Sequence, residues 1–386
     1  MTTSENKYDY IIAGSGAAGL SLLYRILKNS TLNKKKILVI DKAEKNSNDR
    51  TWCFWETGKG IFEEVVCNQW KNLEFKTEKF TKEFHLKNYS YKMIQGLDFY
   101  QFVFSFAKDF GNVSFLTEPI VNISSEENLA IVETDKGRYS AQYIFNSTTL
   151  FNPEINVKNA LLQHFTGWVI QTERATFNSE IGTLMDFTLD QKNGATFMYV
   201  LPTSSTEALV EYTLFSEKVL EKEAYEIALK KYIREDLKIE NFKIKHTEFG
   251  IIPMSLAKFE RTALLSKNII NIGTAGGFTK ASSGYTFQFI QKNTAEIVHN
   301  LELDKYPHPA KTFRDKMFDW YDRTLLEVLL SKKQTGKEIF AVMFRKVSPE
   351  KIFKFLGNES SIWEDIKIMS VLPIKDFLIS GIKQLK

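Results

Sequence analysis

The chain of 386 residues reads as an α/β protein: a parallel sheet, an interleaved β-rich segment and a helical C-terminal region. Three observations predict this. Residues 8–13 form a short apolar run that enters a glycine-rich turn and a helical pattern. A second strand–glycine loop–helix pattern occurs late, over residues 269–301. Between the two lie stretches that alternate apolar with polar residues, the period of half-buried strands. A sheet whose pieces sit at both ends of an insertion excludes two domains joined end to end.

The first turn carries Gly14, Gly16 and Gly19 in G-x-G-x-x-G spacing, followed by a helix that includes Ala18. Gly14 is expected to allow the tight turn and Gly16 to admit a pyrophosphate. Gly19 is expected to let helix and strand pack closely, as in a Rossmann-type fold. The free N–H groups and dipole of the helix N-terminus favour the phosphates. A second apolar strand ends in Asp41, about 20 residues on, where an acid meets ribose hydroxyls. These features imply dinucleotide binding.

Residues 51–56 form an aromatic cluster, and residues 61–91 alternate apolar with charged side chains as antiparallel strands do. Helical periodicity over 97–110 precedes a strand at 113–116. A hairpin is expected through Asp135-Lys-Gly137 into residues 138–146. A long β-rich block follows from about 163 to 253. The expected organisation is a discontinuous nucleotide-binding domain (1–60, 95–155, 264–310), a β-rich substrate domain (61–94, 156–263) and a helical region (311–386).

Net charge is +4, with basic and acidic residues interleaved, which gives no case for nucleic acid. Two cysteines, Cys53 and Cys67, make no disulfide framework or redox pair, and five scattered histidines lack metal-ligand spacing. The polar start, residues 1–7, runs straight into the first strand, and no apolar run reaches membrane-spanning length. A cytoplasmic protein is expected.

Residues 273–285 repeat the device of the first turn: small residues at a strand end open a helix expected to begin near residues 282–285. Its dipole favours a reduced, anionic flavin ring. Two such devices in one chain resemble the FAD-dependent glutathione-reductase-2 superfamily, where the first holds the ADP half and the second the ribityl–flavin half. The hydroxylase branch has Gly-Asp in the late loop; Gly273-Thr274 here implies a weaker ribityl contact. No second dinucleotide motif provides a nicotinamide site.

Three segments narrow the resemblance. Asn48-Asp-Arg-Thr-Trp-Cys-Phe-Trp55, the stretch Phe197–Phe215 containing Leu-Val-Glu211-Tyr-Thr, and Gly273-Thr-Ala-Gly-Gly with Ser282-Ser-Gly-Tyr285 resemble motifs of bacterial lycopene cyclases. The resemblance implies lycopene β-cyclisation with reduced FAD and no net redox change. An FAD-dependent hydroxylase or geranylgeranyl-type reductase, and a non-catalytic flavoprotein, remain competing readings.

Under it, Gly14, Gly16, Ala18, Gly19, Asp41, Arg50, Gly273, Thr274, Gly284 and Tyr285 are cofactor-binding candidates. Glu211, in an apolar strand whose burial would keep its carboxyl protonated, is the main acid, with Asp186 as a weaker catalytic candidate. Trp52, Phe54, Trp55, Phe197 and Tyr199, with Tyr285, are candidates to face the carbocation. Plant-type enzymes have a second acid where this chain has Tyr212, so no carboxylate pair is expected. The lipophilic substrate implies peripheral contact with the inner face of the cell membrane. Apolar residues at helical spacing in 362–372 and 374–383, or residues 340–344, would provide it.

Overall fold

In the computed structural model, which describes residues 6–156, 158–263, 266–308 and 310–385, the apolar run near the N-terminus is strand β1 (Lys7–Ala13), followed by helix α1 (Ala17–Lys28) and β2 (Ile37–Asp41). Next come β3 (Thr51–Thr57), β4 (Val66–Trp70), β5 (Asn72–Thr77), β6 (Phe80–His85) and β7 (Tyr89–Gln95), then α2 (Gly96–Ala107). Strands β8 (Val113–Thr117), β9 (Ile120–Glu126), β10 (Leu129–Thr134) and β11 (Arg138–Asn146) complete the first part. The middle part holds β12 (Ala160–Gln171), β13 (Ile181–Asp186), β14 (Ala195–Pro202), β15 (Glu207–Ser216), α3 (Lys222–Glu235) and β16 (Lys243–Ser255). After β17 (Ile269–Asn271) the chain is helical: α4 (Phe287–Glu302), α5 (Phe313–Leu330), α6 (Gly336–Lys346), α7 (Pro349–Leu356), α8 (Ile362–Met369) and α9 (Ile374–Lys383). The boundary expected before residue 264 and Pro309 of the connecting segment lie outside the described residues.

The first sheet runs β8-β2-β1-β11-β10-β9, with β17 beside β11. Its β8, β2, β1, β11 and β17 are mutually parallel, and the β10–β11 hairpin expected from Asp135-Lys-Gly137 pairs Val132 with Tyr139. Ile11, Ile12 and Ala13 are wholly buried, as a strand covered on both faces requires. The parallel core predicted from the two glycine motifs is therefore the observed one.

The second sheet, β16-β12-β15-β14-β13-β5-β6, is antiparallel except where β13 meets β5. Strands β3-β7-β4 make a third, antiparallel sheet. The block read as β-rich throughout also contains α3. Its Tyr225, Leu229, Tyr232 and Ile233 repeat at helical spacing and are buried against Met198, Val200, Val210 and Tyr212. This helix covers one face of the second sheet and leaves the other face to the cavity described below.

Capping boxes start three of the C-terminal helices: Thr312 with Asp315, Thr335 with Glu338, and Ser361 with Glu364. Phe340 and Phe344, expected among the membrane-facing candidates, are instead core residues. Phe344 stacks on Phe75 of β5 at 4.4 Å between ring centroids. No helix among the described residues is long and apolar enough to cross a membrane.

The glycine turn has the expected geometry. Gly14 has φ +104°, and a Cβ on Gly19 would fall 2.0 Å from the Gly14 carbonyl oxygen, whereas one on Gly16 would meet nothing within 4 Å. Gly19→Ala is expected to cost about 3 kcal/mol of stability in chemical denaturation, by overpacking. Gly16→Ala is expected to leave stability within about 0.5 kcal/mol of the parent.

Candidate active site

Two adjoining cavities lie between the first and second sheets and the late glycine loop. The smaller, about 240 Å³, is lined by Gly16, Ala18, Arg50, Ser147, Gly273 and Thr274, among others. The larger, about 800 Å³, is lined by residues of β3, β12, β14, β15 and β16 and by the loop from Thr274 to Phe287. Arg50, Trp52, Thr274 and Thr286 border both.

The smaller cavity sits at the N-terminus of α1, whose cap, Gly16, offers no side chain to the first N–H groups. That combination suits a phosphate. Asp41, Gly14 and Gly19 stand behind the wall: Asp41 Oδ2 accepts from the Ser15 N–H (2.7 Å) and Oγ–H (2.9 Å), so it braces the turn. The late loop is short 3₁₀ structure from Gly273 to Gly276, with Gly273 at φ +59° and Gly284 at φ +72°. Helix α4 begins at Phe287, after the expected start at residues 282–285, because the left-handed Gly284 interrupts the helical path.

A flavin ring needs hydrogen-bonding partners along one edge, and the larger cavity holds buried polar atoms that the protein leaves unsatisfied. Gln163 Oε1, Ser283 Oγ and Asn152 Oδ1 have no partner among the described residues. A Cβ at 284 would come within 1.8 Å of Gln163 Oε1, so glycine there is needed to seat this amide. The residues present fit an FAD.

The loop is braced from the C-terminal helices. Lys280 Nζ, buried, pairs with Asp322 of α5 at 2.7 Å and donates to Asn358 Oδ1 at 2.7 Å. Ser282 Oγ donates to the same Asp322 at 2.7 Å.

The opposite wall is the second sheet, and strand alternation decides what it presents. On β15, Leu209 and Glu211 face the cavity, while Val210 and Tyr212 face α3. On β14, Tyr199 and Leu201 line the cavity. Phe197, on the same face but further along, is buried against Phe187 and Phe215. Trp52 reaches the cavity, stacked on Phe287. Phe54 and Trp55 do not: Phe54 packs on Phe287, and Trp55 lies behind Tyr285 and against Phe353. The cavity therefore collects Trp52, Tyr199 and Tyr285 of the expected aromatic set, and adds Tyr91.

Asp186 is elsewhere. Its Oδ2 accepts from Tyr232 of α3 at 2.7 Å and its Oδ1 from Thr188 at 2.6 Å, on the sheet face turned away from the cavity. The pleat of β13 puts it there, opposite Met198, which also packs on α3.

The unexpected residue is Glu248. Gly167 on β12 pairs with Glu211 on one side and with Glu248 of β16 on the other, and both glutamates line the cavity. A carboxylate pair exists, contrary to the expectation drawn from Tyr212. Position 212 cannot join Glu211, because adjacent residues of a strand point to opposite faces; the partner comes from two strands away. Thr213 Oγ1 donates to Glu211 Oε1 (2.7 Å) and Thr51 Oγ1 to Glu248 Oε2 (2.6 Å). Burial, reinforced by the Glu248 charge, raises the Glu211 pKa to about 8. Burial raises Glu248 to about 7, with Thr51 and Arg50 acting in the opposite direction. The phenols of Tyr91 and Tyr199 are pushed well above their ordinary value by burial, and Tyr285 to about 12, so all three stay neutral.

Solved structures show the same fold. A geranylgeranyl bacteriochlorophyll reductase-like protein from Thermoplasma acidophilum superposes with TM-score 0.65 at 14% identity, covering 97% of this chain and 99% of that one. A flavoprotein/dehydrogenase from Cytophaga hutchinsonii gives 0.62 at 13% identity, covering 98% and 99%. The architecture, with its Rossmann-type sheet, is thus shared with these two proteins. In sequence, a lycopene beta-cyclase from Pantoea ananas is 24% identical over 213 residues, 53% of this chain and 52% of that protein, so the match spans about half of that relative. The model of the lycopene cyclase protein family matches residues 9–380, and the chain belongs to that family.

The acid pair predicts a pH dependence. Both carboxyls have folded pKa values above the ordinary 4.5, so the folded state binds more protons between about pH 4.5 and 8. Stability is full below that window and is lost as pH rises through it. Denaturation of cofactor-free protein is expected to show a fall on the order of 3 kcal/mol between pH 5 and 8, and Glu211→Gln should flatten it.

Proposed function

We propose that the chain is a lycopene β-cyclase, closing the acyclic ψ-ends of lycopene to β-rings (β-carotene via γ-carotene) with reduced FAD and no net redox change. The observation that carries this reading is Glu211: a carboxyl held protonated near neutral pH on the wall of a cavity between aromatic side chains and the flavin-type loop. An isolated alkene is a poor base, so its protonation calls for such an acid.

Glu211 donates its proton to the terminal C1=C2 bond, leaving a tertiary cation that the C5=C6 bond attacks. Loss of the C6 proton then yields the β-ring. Leu201, Leu209 and Ile252 exclude water, which would otherwise trap the cation. Trp52, Tyr199 and Tyr285 offer ring faces, each worth about 2 kcal/mol to a desolvated cation. Gly16, Ala18, Arg50, Gly273 and Thr274 would hold the phosphate and ribityl parts of FAD, and Gln163, Ser283 and Gly284 its ring. When bound and reduced, FAD supplies a negative charge that stabilises positive charge in the cavity.

Helices α8 and α9 supply the route to a bilayer-stored substrate. Trp363 is 77% exposed and Ile374, Leu378 and Ile382 are 58–60% exposed, with Lys367 and Lys375 in the same two helices. Apolar faces beside lysines suit an anionic membrane interface. This supports a cytoplasmic protein held peripherally at the inner face of the cell membrane. Trp363→Glu combined with Leu378→Glu is expected to lower co-sedimentation with anionic vesicles about tenfold, while the thermal midpoint stays within a few degrees of the parent.

Glu211→Gln is expected to keep bound flavin and lose cyclisation about a thousandfold, measured as β-carotene formed from lycopene with pre-reduced FAD under anaerobic conditions. In the parent the flavin should stay reduced through turnover. Flavin oxidation matched to product would instead establish a redox enzyme of the hydroxylase or reductase kind.

A further inference from the structure

The geometry around Gly167 adds a second acid–base residue to the cyclase reading, on which this inference rests. Gly167 lies in register with Glu211 on one neighbouring strand and Glu248 on the other. A Cβ at 167 would stand 3.3 Å from Cγ of Glu248 and 3.5 Å from Oε2 of Glu211. With no side chain between them, Oε2 of Glu211 and Cγ of Glu248 both approach the same point above the middle strand, on the cavity side.

Their hydrogen bonds are asymmetric in a useful way. Thr213 occupies Oε1 of Glu211 and Thr51 occupies Oε2 of Glu248, which leaves Oε2 of Glu211 in the gap and one oxygen of Glu248 unbonded to protein. Among the described residues neither carboxylate has a lysine or arginine within ion-pair distance. Two adjacent carboxyls, Glu248 buried and Glu211 half-buried at the cavity wall, with no cation in ion-pair reach cannot both ionise cheaply, so they retain one proton between them.

We propose that Glu211 and Glu248 form a one-proton catalytic dyad, in which Glu211 protonates the ψ-end and Glu248 removes the C6 proton after ring closure. The bookkeeping closes without an external reagent. The Glu211 O–H bond breaks as the C2–H bond forms, and the π electrons of C5=C6 make the C1–C6 bond. The C6–H electron pair then restores C5=C6 as the proton passes to Glu248. The dyad again holds one proton, now on Glu248, and transfer across the Gly167 gap returns it to Glu211. While both carboxylates are charged, the substrate carries the compensating positive charge.

The other groups facing the pair leave this assignment undisturbed. Cys53, Tyr199 and Tyr285 beside Glu211 are held neutral by burial, and Arg50 and Asp49 beside Glu248 carry opposite charges.

The test uses Glu248→Gln, which preserves shape and cannot accept the proton, with pre-reduced FAD and lycopene. Cyclised product should fall about a hundredfold. The residual product should be enriched in rings whose double bond is not C5=C6, because the C5 cation then loses a proton from C4 or from its methyl group. Glu248→Asp should restore β-rings in part. In substrate-free protein, the infrared band of the protonated carboxyl should disappear at lower pH in Glu248→Gln than in the parent; this reading holds even for a variant that turns over poorly. Parent-like rate with β-rings alone, or an unmoved carboxyl titration, overturns the dyad and leaves Glu211 as the acid. A parent that forms no cyclised product overturns the cyclase reading itself, which separates the two failures.

Discussion

Two carboxyl groups stand side by side at the cavity wall, Glu248 buried and Glu211 half-buried, with no cation in ion-pair reach among the described residues, and the surrounding architecture makes that tolerable. An ionised carboxylate is costly to desolvate, so burial retains a proton and one oxygen of each carboxyl accepts from a threonine hydroxyl. The spacing is fixed by a sheet: β15 and β16 flank β12, two strand separations apart, or about 10 Å between outer backbones. Glutamates can bridge such a gap only if the middle strand contributes no side chain, and Gly167 meets that condition. Helix α3 seals the reverse face, which keeps the sheet rigid and water away from behind.

The same constraint bears on the proposed acid–base reaction. The fold is shared with a reductase-like protein and a flavoprotein/dehydrogenase at identities of 14% and 13%, so it shows the architecture and says little about the chemistry. The distinguishing chemistry is on the facing wall, in an acid pair and a set of neutral aromatic rings.

The parts of the fold visible in the sequence were those set by local rules. A glycine that must accept positive φ or a 2 Å approach announces itself by spacing, and the first turn and parallel core were read correctly from Gly14, Gly16 and Gly19. Glu211 stood out because its strand matches a family motif. Glu248 did not, because residues 243–250 show only charged and apolar alternation, and its meaning comes from register across β12. Of the aromatic candidates on β3, Trp52 and Phe54 share one face and both pack on Phe287, but only Trp52 reaches the cavity, while the pleat turns Trp55 to the other face, behind Tyr285. Asp186 was misleading for the same reason: a strand residue has two faces, and single-sequence reading cannot tell which one a helix covers. Helix α3 was legible in the spacing of Tyr225, Leu229 and Tyr232, but short polar helices within a β-rich block are easily absorbed into it.

The brace of Lys280 by Asp322 and Asn358 bears on how the protein is made. The first glycine turn is complete once β11 has left the ribosome, whereas Lys280 of the late loop waits for its ion-pair partner Asp322, 42 residues on, and for Asn358, 78 residues on. At about 10 residues per second this interval runs to several seconds after Lys280 appears. The late loop therefore acquires its brace well after the first turn, and the nascent chain passes through a stage in which only the Gly14–Gly19 turn is in place.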